Sequence, residues 1–381
     1  SPGGGAAAAR AETANPMFVN LLEPPDGVLQ FACAGPMSPP PQLAEAYRRA
    51  ADRLTGKDMG YHPSGHPALR RALADHYTAL GVPTTDDQVL VTTGAQQALA
   101  LLTRALVRPG DEVLVEAPTY PGALDLFHEA AAVIRAAPDL ADALGRRKPA
   151  LVYAMPTFHN PTGASMSPLQ RRRLVRAAAA VPLVFDEVLS DLDLAGGPPQ
   201  PPTAEAITVA SLSKVVWGGL RVGWVRAEAP LIARLARFKA VHDLGSAVLE
   251  QLAAVELLAD FATVRSHRVA ALRDRHDVLR ARLRHHLPTW RFTPAEGGQT
   301  LWVRLPGDAD AAGYAQVALR HGVAVLPGAS LDPTGRSADR LRLPFTDDPA
   351  AITAAVTRLS AAWQDFTATA PHRRVVPSIA V

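Results

Sequence analysis

Apolar positions along the chain follow two rhythms that take turns. Short, largely apolar runs at 88–92, 112–116, 150–155, 182–185 and 207–211 have the length and composition of strands buried on both faces. Between them, apolar residues recur at helical spacing over 98–107, 122–131 and 168–179. Strands and helices in alternation predict an α/β chain with a mostly parallel central sheet covered on both faces.

The flanks have a different texture. Upstream, 28–34 predicts a short strand entering Gly35-Pro36. Leu43, Tyr47, Ala50 and Leu54 recur at helical spacing, and Pro67 opens a helix with Leu69, Leu73, Tyr77 and Leu80 on one face. Downstream of Arg226 the pattern is helical to about 287. A Gly297-Gly298 turn follows, then strands at 301–304, 323–326 and 341–343 and helices at 309–320 and 349–363. This mixed segment predicts a smaller α+β lobe. The expected division is a flexible arm at 1–25, a small domain from 26–50 and 265–367, a large domain at 51–264 and a tail at 368–381.

Bulk properties narrow the function. A net charge of +3 over 381 residues, with no like-charge block longer than Arg171-Arg172-Arg173, gives nucleic acid little to bind. The single cysteine, Cys33, excludes an internal disulfide and suits a cytoplasmic setting. No uncharged apolar span reaches the ~18 residues of a membrane helix, and no metal-ligand set is read from the chain.

In a parallel sheet the loops at the strands' carboxyl ends converge on the site. Here those loops carry Gly94 to Gln97, Tyr120, Asn160, Asp186 and Ser211 to Lys214. Of only four lysines, Lys148 in a basic turn, Lys57 in a polar loop and Lys239 on an amphipathic helix read as solvated. Lys214 alone follows a buried strand and is flanked by glycines. A lysine that is desolvated or set beside other cations is neutral enough to attack an aldehyde. Arg221 and Ser211, close in sequence, could supply that charge and hold a phosphate. The strand turning through Gly94 into a helix leaves free amides and a positive dipole end, which also suits phosphate. Each feature has a plainer reading: a surface lysine, an ordinary helix start, Asp186 as a helix cap, Asn160 as a turn residue.

Together, Tyr61-His62-Pro63-Ser64-Gly65, Thr92-Thr93-Gly94-Ala95-Gln96-Gln97-Ala98-Leu99, Pro118-Thr119-Tyr120-Pro121-Gly122, Ser211-Leu212-Ser213-Lys214 and Leu341-Arg342-Leu343-Pro344-Phe345 resemble a fold-type I, class I/II aminotransferase dependent on pyridoxal 5'-phosphate (PLP). The resemblance runs from about 25 to 365 and is closest to the aminotransferase-like domain of MocR-type regulators. It implies the PLP-dependent transferase fold and a homodimer with shared active sites acting on an amino acid. It implies that Lys214 is joined to the cofactor and carries the proton at the substrate's Cα. It further implies that Asp186 pairs with the pyridine nitrogen, that Asn160 donates to the ring oxygen and that Tyr120 stacks on the ring. Gly94, the amides of Ala95 and Gln96, Ser211, Ser213, Arg221 and the partner subunit's Tyr61 would hold phosphate. Arg342 would clamp the substrate carboxylate, with Gly35 giving it close backbone approach.

Three features depart from the pattern. Leu189 stands three residues after Asp186, where a tyrosine usually donates to the ring oxygen. Gln299 follows the Gly297-Gly298 turn where relatives more often carry an apolar residue, which implies a polar substrate side chain. The segment 138–149 is short for the family and would reshape access near Tyr120. About thirty residues precede the first predicted strand, too few for a winged helix. The expectation is an enzyme, by default an aminotransferase. The alternatives are another PLP chemistry (elimination, replacement or carbon–carbon bond formation) or a regulator's effector domain.

Overall fold

A computed structural model describes residues 27–55, 57–144, 148–197 and 200–369. The expected arm at 1–25 lies outside these residues, as does the expected tail apart from 368 and 369, which continue the last helix. Part of the short segment at 138–149 lies outside them too.

The described chain opens with β1 (Leu29–Phe31), then helices α1 (Pro41–Asp52) and α2 (Pro67–Ala79). Both helices begin with proline, where the missing N–H costs no helical bond. The predicted alternation follows as β2 (Val89–Thr92), α3 (Ala95–Leu106), β3 (Glu112–Glu116), α4 (Pro121–Glu129), β4 (Val133–Ala137), α5 (Leu140–Leu144), β5 (Leu151–Ala154), α6 (Pro168–Ala177), β6 (Leu183–Asp186), β7 (Ile207–Ser211) and β8 (Gly223–Arg226).

These strands form one sheet in the order β2-β8-β7-β6-β5-β3-β4. All neighbours run parallel except β8, which is antiparallel to both β2 and β7. Strands β4 and β8 are absent from the sequence reading for different reasons. In β4, an edge strand that is only partly buried, Arg135 interrupts the apolar run and is held by Glu112 at 2.7 Å. In β8 the run begins with glycine and ends with Arg226, yet every residue is buried.

Three helices follow: α7 (Ala229–Asp243), α8 (Val248–Ala259) and α9 (Phe261–His286). On α7 the structure overturns one expectation. Lys239 is fully buried rather than solvated, because Asp243 one turn later takes its ammonium at 2.8 Å. Pairing of this kind offsets the desolvation that otherwise keeps lysine at the surface.

A second sheet gathers β1 with β9 (Arg291–Phe292), β10 (Thr300–Arg304), β11 (Val323–Pro327) and β12 (Arg340–Pro344), in the order β1-β11-β12-β10-β9. Helices α10 (Ala311–Arg320) and α11 (Pro349–Thr369) accompany it. Trp290, Tyr314 and Trp363 meet edge to face at 5.5–5.6 Å, and the Tyr314 hydroxyl donates to the Leu359 carbonyl at 2.8 Å. That aromatic cluster braces α10 and α11 against each other.

Candidate active site

The strand ends place the polar residues. Asp186 is the last residue of β6, and Lys214 lies three residues past the end of β7. Tyr120 caps the start of α4, and Asn160 sits in the loop after β5, joined to Pro161 by a cis bond. Arg342 is the middle residue of β12, paired in register with Trp302 on β10 and Leu326 on β11. Gly35 comes from the loop after β1.

Hydrogen bonds fix several of these side chains, and Lys214 feels the charges of both Asp186 and Arg342. The Lys214 ammonium donates to the Ala34 carbonyl at 2.5 Å, and a Cβ on Gly35 would lie 3.7 Å from Lys214 Nζ. Arg342 donates from Nη1 to Asn160 Oδ1 at 3.3 Å and from Nη2 to the Ala32 carbonyl. The Tyr120 hydroxyl meets Gln96 Oε1 at 3.1 Å, while Gln96 Nε2 donates to the Gly122 carbonyl at 2.9 Å.

At the start of α3 the backbone is shaped for close approach. Gly94 has φ +102°, a conformation that side chains rarely tolerate, and a Cβ there would stand 2.7 Å from Arg221 Nη2. The Arg221 guanidinium spans this turn, donating to the carbonyls of Thr93 and Gly218. Nearby, the Ser213 amide donates to Ser211 Oγ at 3.1 Å, and the two hydroxyls are 2.8 Å apart.

Burial sets the electrostatics. It pushes the Lys214 amine below its usual value; Arg342 and Arg268 push the same way, against Cys33 and Asp186. The Asp186 carboxyl is raised by burial, opposed by Tyr153, the Val188 amide and Lys214. Burial also brings Arg342 down to about 10. Two buried polar atoms, Arg342 Nε and Gln299 Oε1, have no hydrogen-bond partner among the described residues. The buried Asp186 carboxylate accepts the Tyr153 hydroxyl and the Val188 amide, and the positive charge acting on it is that of Lys214.

Residues 33–359 match the family model for aminotransferase class I and II. The chain belongs to that family. A 2-aminoadipate transaminase of Thermus thermophilus is 31% identical over 387 residues, covering 94% of this chain and 96% of that one. An uncharacterized HTH-type transcriptional regulator of Bacillus subtilis is 30% identical, and there the match covers 87% of this chain but 73% of the regulator. Among solved structures, the α-aminoadipate aminotransferase of Thermus thermophilus complexed with N-(5'-phosphopyridoxyl)-L-leucine superposes with a TM-score of 0.84. That pair is 28% identical and covers 96% of this chain and 98% of that one.

Two residues of this class I and II aminotransferase family member stand apart from the contacts above. Tyr61, expected to serve the partner subunit's site, is 61% exposed, and among the described residues no hydrogen bond joins it to the cluster of its own chain. Gln299 is 2% exposed, and its Nε2 donates to the Lys214 backbone carbonyl at 3.2 Å, so it grips the lysine's own segment. Leu189 packs against the core and has no polar atom to offer.

Two contributors escaped the sequence reading. Tyr153, on β5, donates its hydroxyl to Asp186 Oδ2 at 2.7 Å. Its signal was a tyrosine inside an otherwise apolar buried strand, since a buried phenol needs a partner. Arg268, on α9, donates from Nε to the Lys214 carbonyl at 3.2 Å, alongside Gln299. Burial, with Arg275 nearby, lowers it to about 9. Nothing in the sequence separates it from the other arginines of that helix.

Proposed function

We propose that this protein is a PLP-dependent aminotransferase that moves the amino group of an α-amino acid to a keto acid. The observation that carries the reading is Lys214: a buried amine, lowered in pKa, in one cluster with Arg342 and Asp186. The donor set fits the cofactor. The Gly94 turn and Arg221 suit its phosphate, and the buried Asp186 carboxylate suits a protonated ring nitrogen. When bound, the cofactor supplies an aldehyde for condensation with amines and a protonated ring that accepts the electron pair released at Cα.

In this reading the side chains divide the work. Lys214 holds the cofactor and, neutral at its nitrogen, takes and returns the proton at the substrate's Cα. Asp186, whose charged form the Tyr153 hydroxyl and the Val188 amide favour against burial, holds the ring nitrogen in its charged form. Asn160 donates to the ring oxygen and Tyr120 covers the ring face. Gly94, Ala95, Gln96, Ser211, Ser213 and Arg221 bind phosphate. Arg342 orients the substrate carboxylate, for which its partnerless Nε is available, and Gly35 lets the substrate lie close to the backbone. Gln299 holds the Lys214 segment, with its free Oε1 left for a polar substrate group.

A homodimer belongs to this reading, in which the exposed Tyr61 reaches the phosphate of the neighbouring subunit's site. The division into a small domain (26–50 and 265–367) and a large one (51–264) belongs to the same proposal. So does a cytoplasmic setting, argued from the lone thiol of Cys33.

Incubation with a panel of amino acids and a keto acid, read by mass spectrometry, tests the activity. Amine should appear on the keto acid with the donor's carbon skeleton intact. A changed skeleton would favour elimination or replacement chemistry. The match to HTH-type regulators supports a second reading, an effector-binding domain. That reading predicts cofactor binding with no turnover.

A further inference from the structure

We propose that Asp58, His62 and His66 form a binding site for one transition-metal dication of the zinc, cobalt or nickel class. The three side chains each offer a ligand atom, and these atoms all lie within 4.8 Å of one another. His62 Nε2 is already 2.9 Å from Asp58 Oδ2. The two imidazole rings are 5.0 Å apart and inclined at 72°, so they converge edge to face rather than stack. Ligand atoms around a tetrahedral ion with bonds of ~2.0–2.2 Å are about 3.3–3.6 Å apart. Small side-chain rotations therefore close the site.

The residues lie on the connection between α1 and α2, and its backbone is fixed where the imidazoles are mounted. The Gly65 amide donates to the His62 carbonyl at 2.9 Å, and the His66 amide donates to Gln251 Oε1 at 2.6 Å. A Cβ on Gly245 would stand 2.8 Å from the His62 backbone, so that chain passes directly over it. His66 Nδ1 also accepts the Ala68 amide at 3.2 Å as the cap of α2, which orients the ring. Asp58 is on the open side, its side chain half exposed, and its Oδ1 accepts the Gly60 amide at 2.9 Å. Imidazoles on an anchored backbone, a carboxylate beside them and an open side for entry and a water ligand are what such a centre requires.

The donor set selects the ion class. Two imidazole nitrogens and one carboxylate oxygen favour borderline dications, whereas calcium and magnesium require mostly oxygen ligands. Arg53, whose charge is felt at His66, is already engaged by Glu256 at 2.6 Å. Tyr61 lies between the first two ligands in sequence, so a bound ion would also stiffen the loop that presents it.

The test uses the full chain, stripped with chelator, loaded with PLP and titrated with Zn²⁺ by calorimetry and with Co²⁺ by visible absorption. One ion per chain is expected, with affinity falling tenfold or more in Asp58→Asn and in His62→Ala. Asp58→Asn keeps the Gly60 contact and tests the ligand without threatening the fold; thermal melting of both variants checks this. Amide exchange across 58–62 should slow when the ion binds. No stoichiometric binding, or binding unchanged in Asp58→Asn and in His62→Ala, would overturn the proposal.

Discussion

The Tyr153 hydroxyl reaches across from β5 to donate to the Asp186 carboxylate on β6, 2.7 Å away, with both residues buried. A donor to the ionised carboxylate favours its charged form. Removing it in Tyr153→Phe should raise the Asp186 pKa further and weaken its hold on a cationic ring. A hydrogen bond to a charged group is worth about 1.5–3 kcal/mol. PLP affinity should accordingly fall about tenfold or more, measured by fluorescence titration of cofactor-free protein. Unchanged affinity would show that the contact is purely structural.

Arg268 adds positive charge next to Lys214 and grips its carbonyl. Arg268→Met removes the charge while keeping most of the packing, so the Lys214 amine should titrate at higher pH. Competitive reductive methylation of cofactor-free protein across pH, read by peptide mass, measures this directly. A midpoint that does not move upward would exclude the electrostatic role.

Gly223 on β8 lies against the turn that opens α3. A Cβ there would stand 2.6 Å from the Gly94 carbonyl carbon and 2.9 Å from the Ala95 nitrogen, both backbone atoms that cannot swing away. Gly223→Ala should destabilise the fold by about 1–3 kcal/mol and weaken competition by inorganic phosphate for the cofactor site. Wild-type melting together with wild-type phosphate inhibition would contradict the close packing.

A second titratable pair lies beside the site. Glu116 Oε2 accepts the Met155 amide at 2.7 Å and is 3.4 Å from His159 Nε2. Burial pushes Glu116 up to about 8, with the Met155 amide opposing and Asp186 adding, and burial pushes His159 down to about 4. Between the ordinary carboxyl value of 4.5 and about 8, the unfolded chain has lost the Glu116 proton while the folded chain keeps it, so this group makes stability fall as pH rises. His159 acts oppositely between about 4 and 6.5, where only the unfolded chain binds the proton. From 6.5 to 8, Glu116 is the member of this pair that still contributes. Glu116→Gln, which keeps an acceptor for Met155, should therefore gain Tm relative to wild type as pH rises from 5 to 8. Parallel Tm curves would rule this out.

How far the sequence could be read follows from where each polar residue stands. Asp186, Lys214 and Arg342 break or follow apolar runs, so their type and position were informative, and the parallel sheet explains why Asp186 and Lys214 meet. Tyr153 was hidden because a tyrosine inside a strand reads as core until its partner on the next strand is known. Arg268 was hidden because α9 carries arginines along its length, and only the tertiary fold shows which one turns inward. Lys239 was misread because helical periodicity says nothing of a partner four residues on that neutralises a buried charge. Strand β8 was missed because glycine and arginine at its ends mask a fully buried segment.

The most direct test of the central claim is borohydride reduction of the PLP-loaded protein followed by peptide mass mapping. Reduction fixes the cofactor to whichever amine holds it, and the chain offers only Lys57, Lys148, Lys214, Lys239 and the terminus. The account predicts one phosphopyridoxyl group per chain, on the peptide containing Lys214, and none in Lys214→Ala. Label on another amine, or no label at all from protein exposed to PLP, would contradict it.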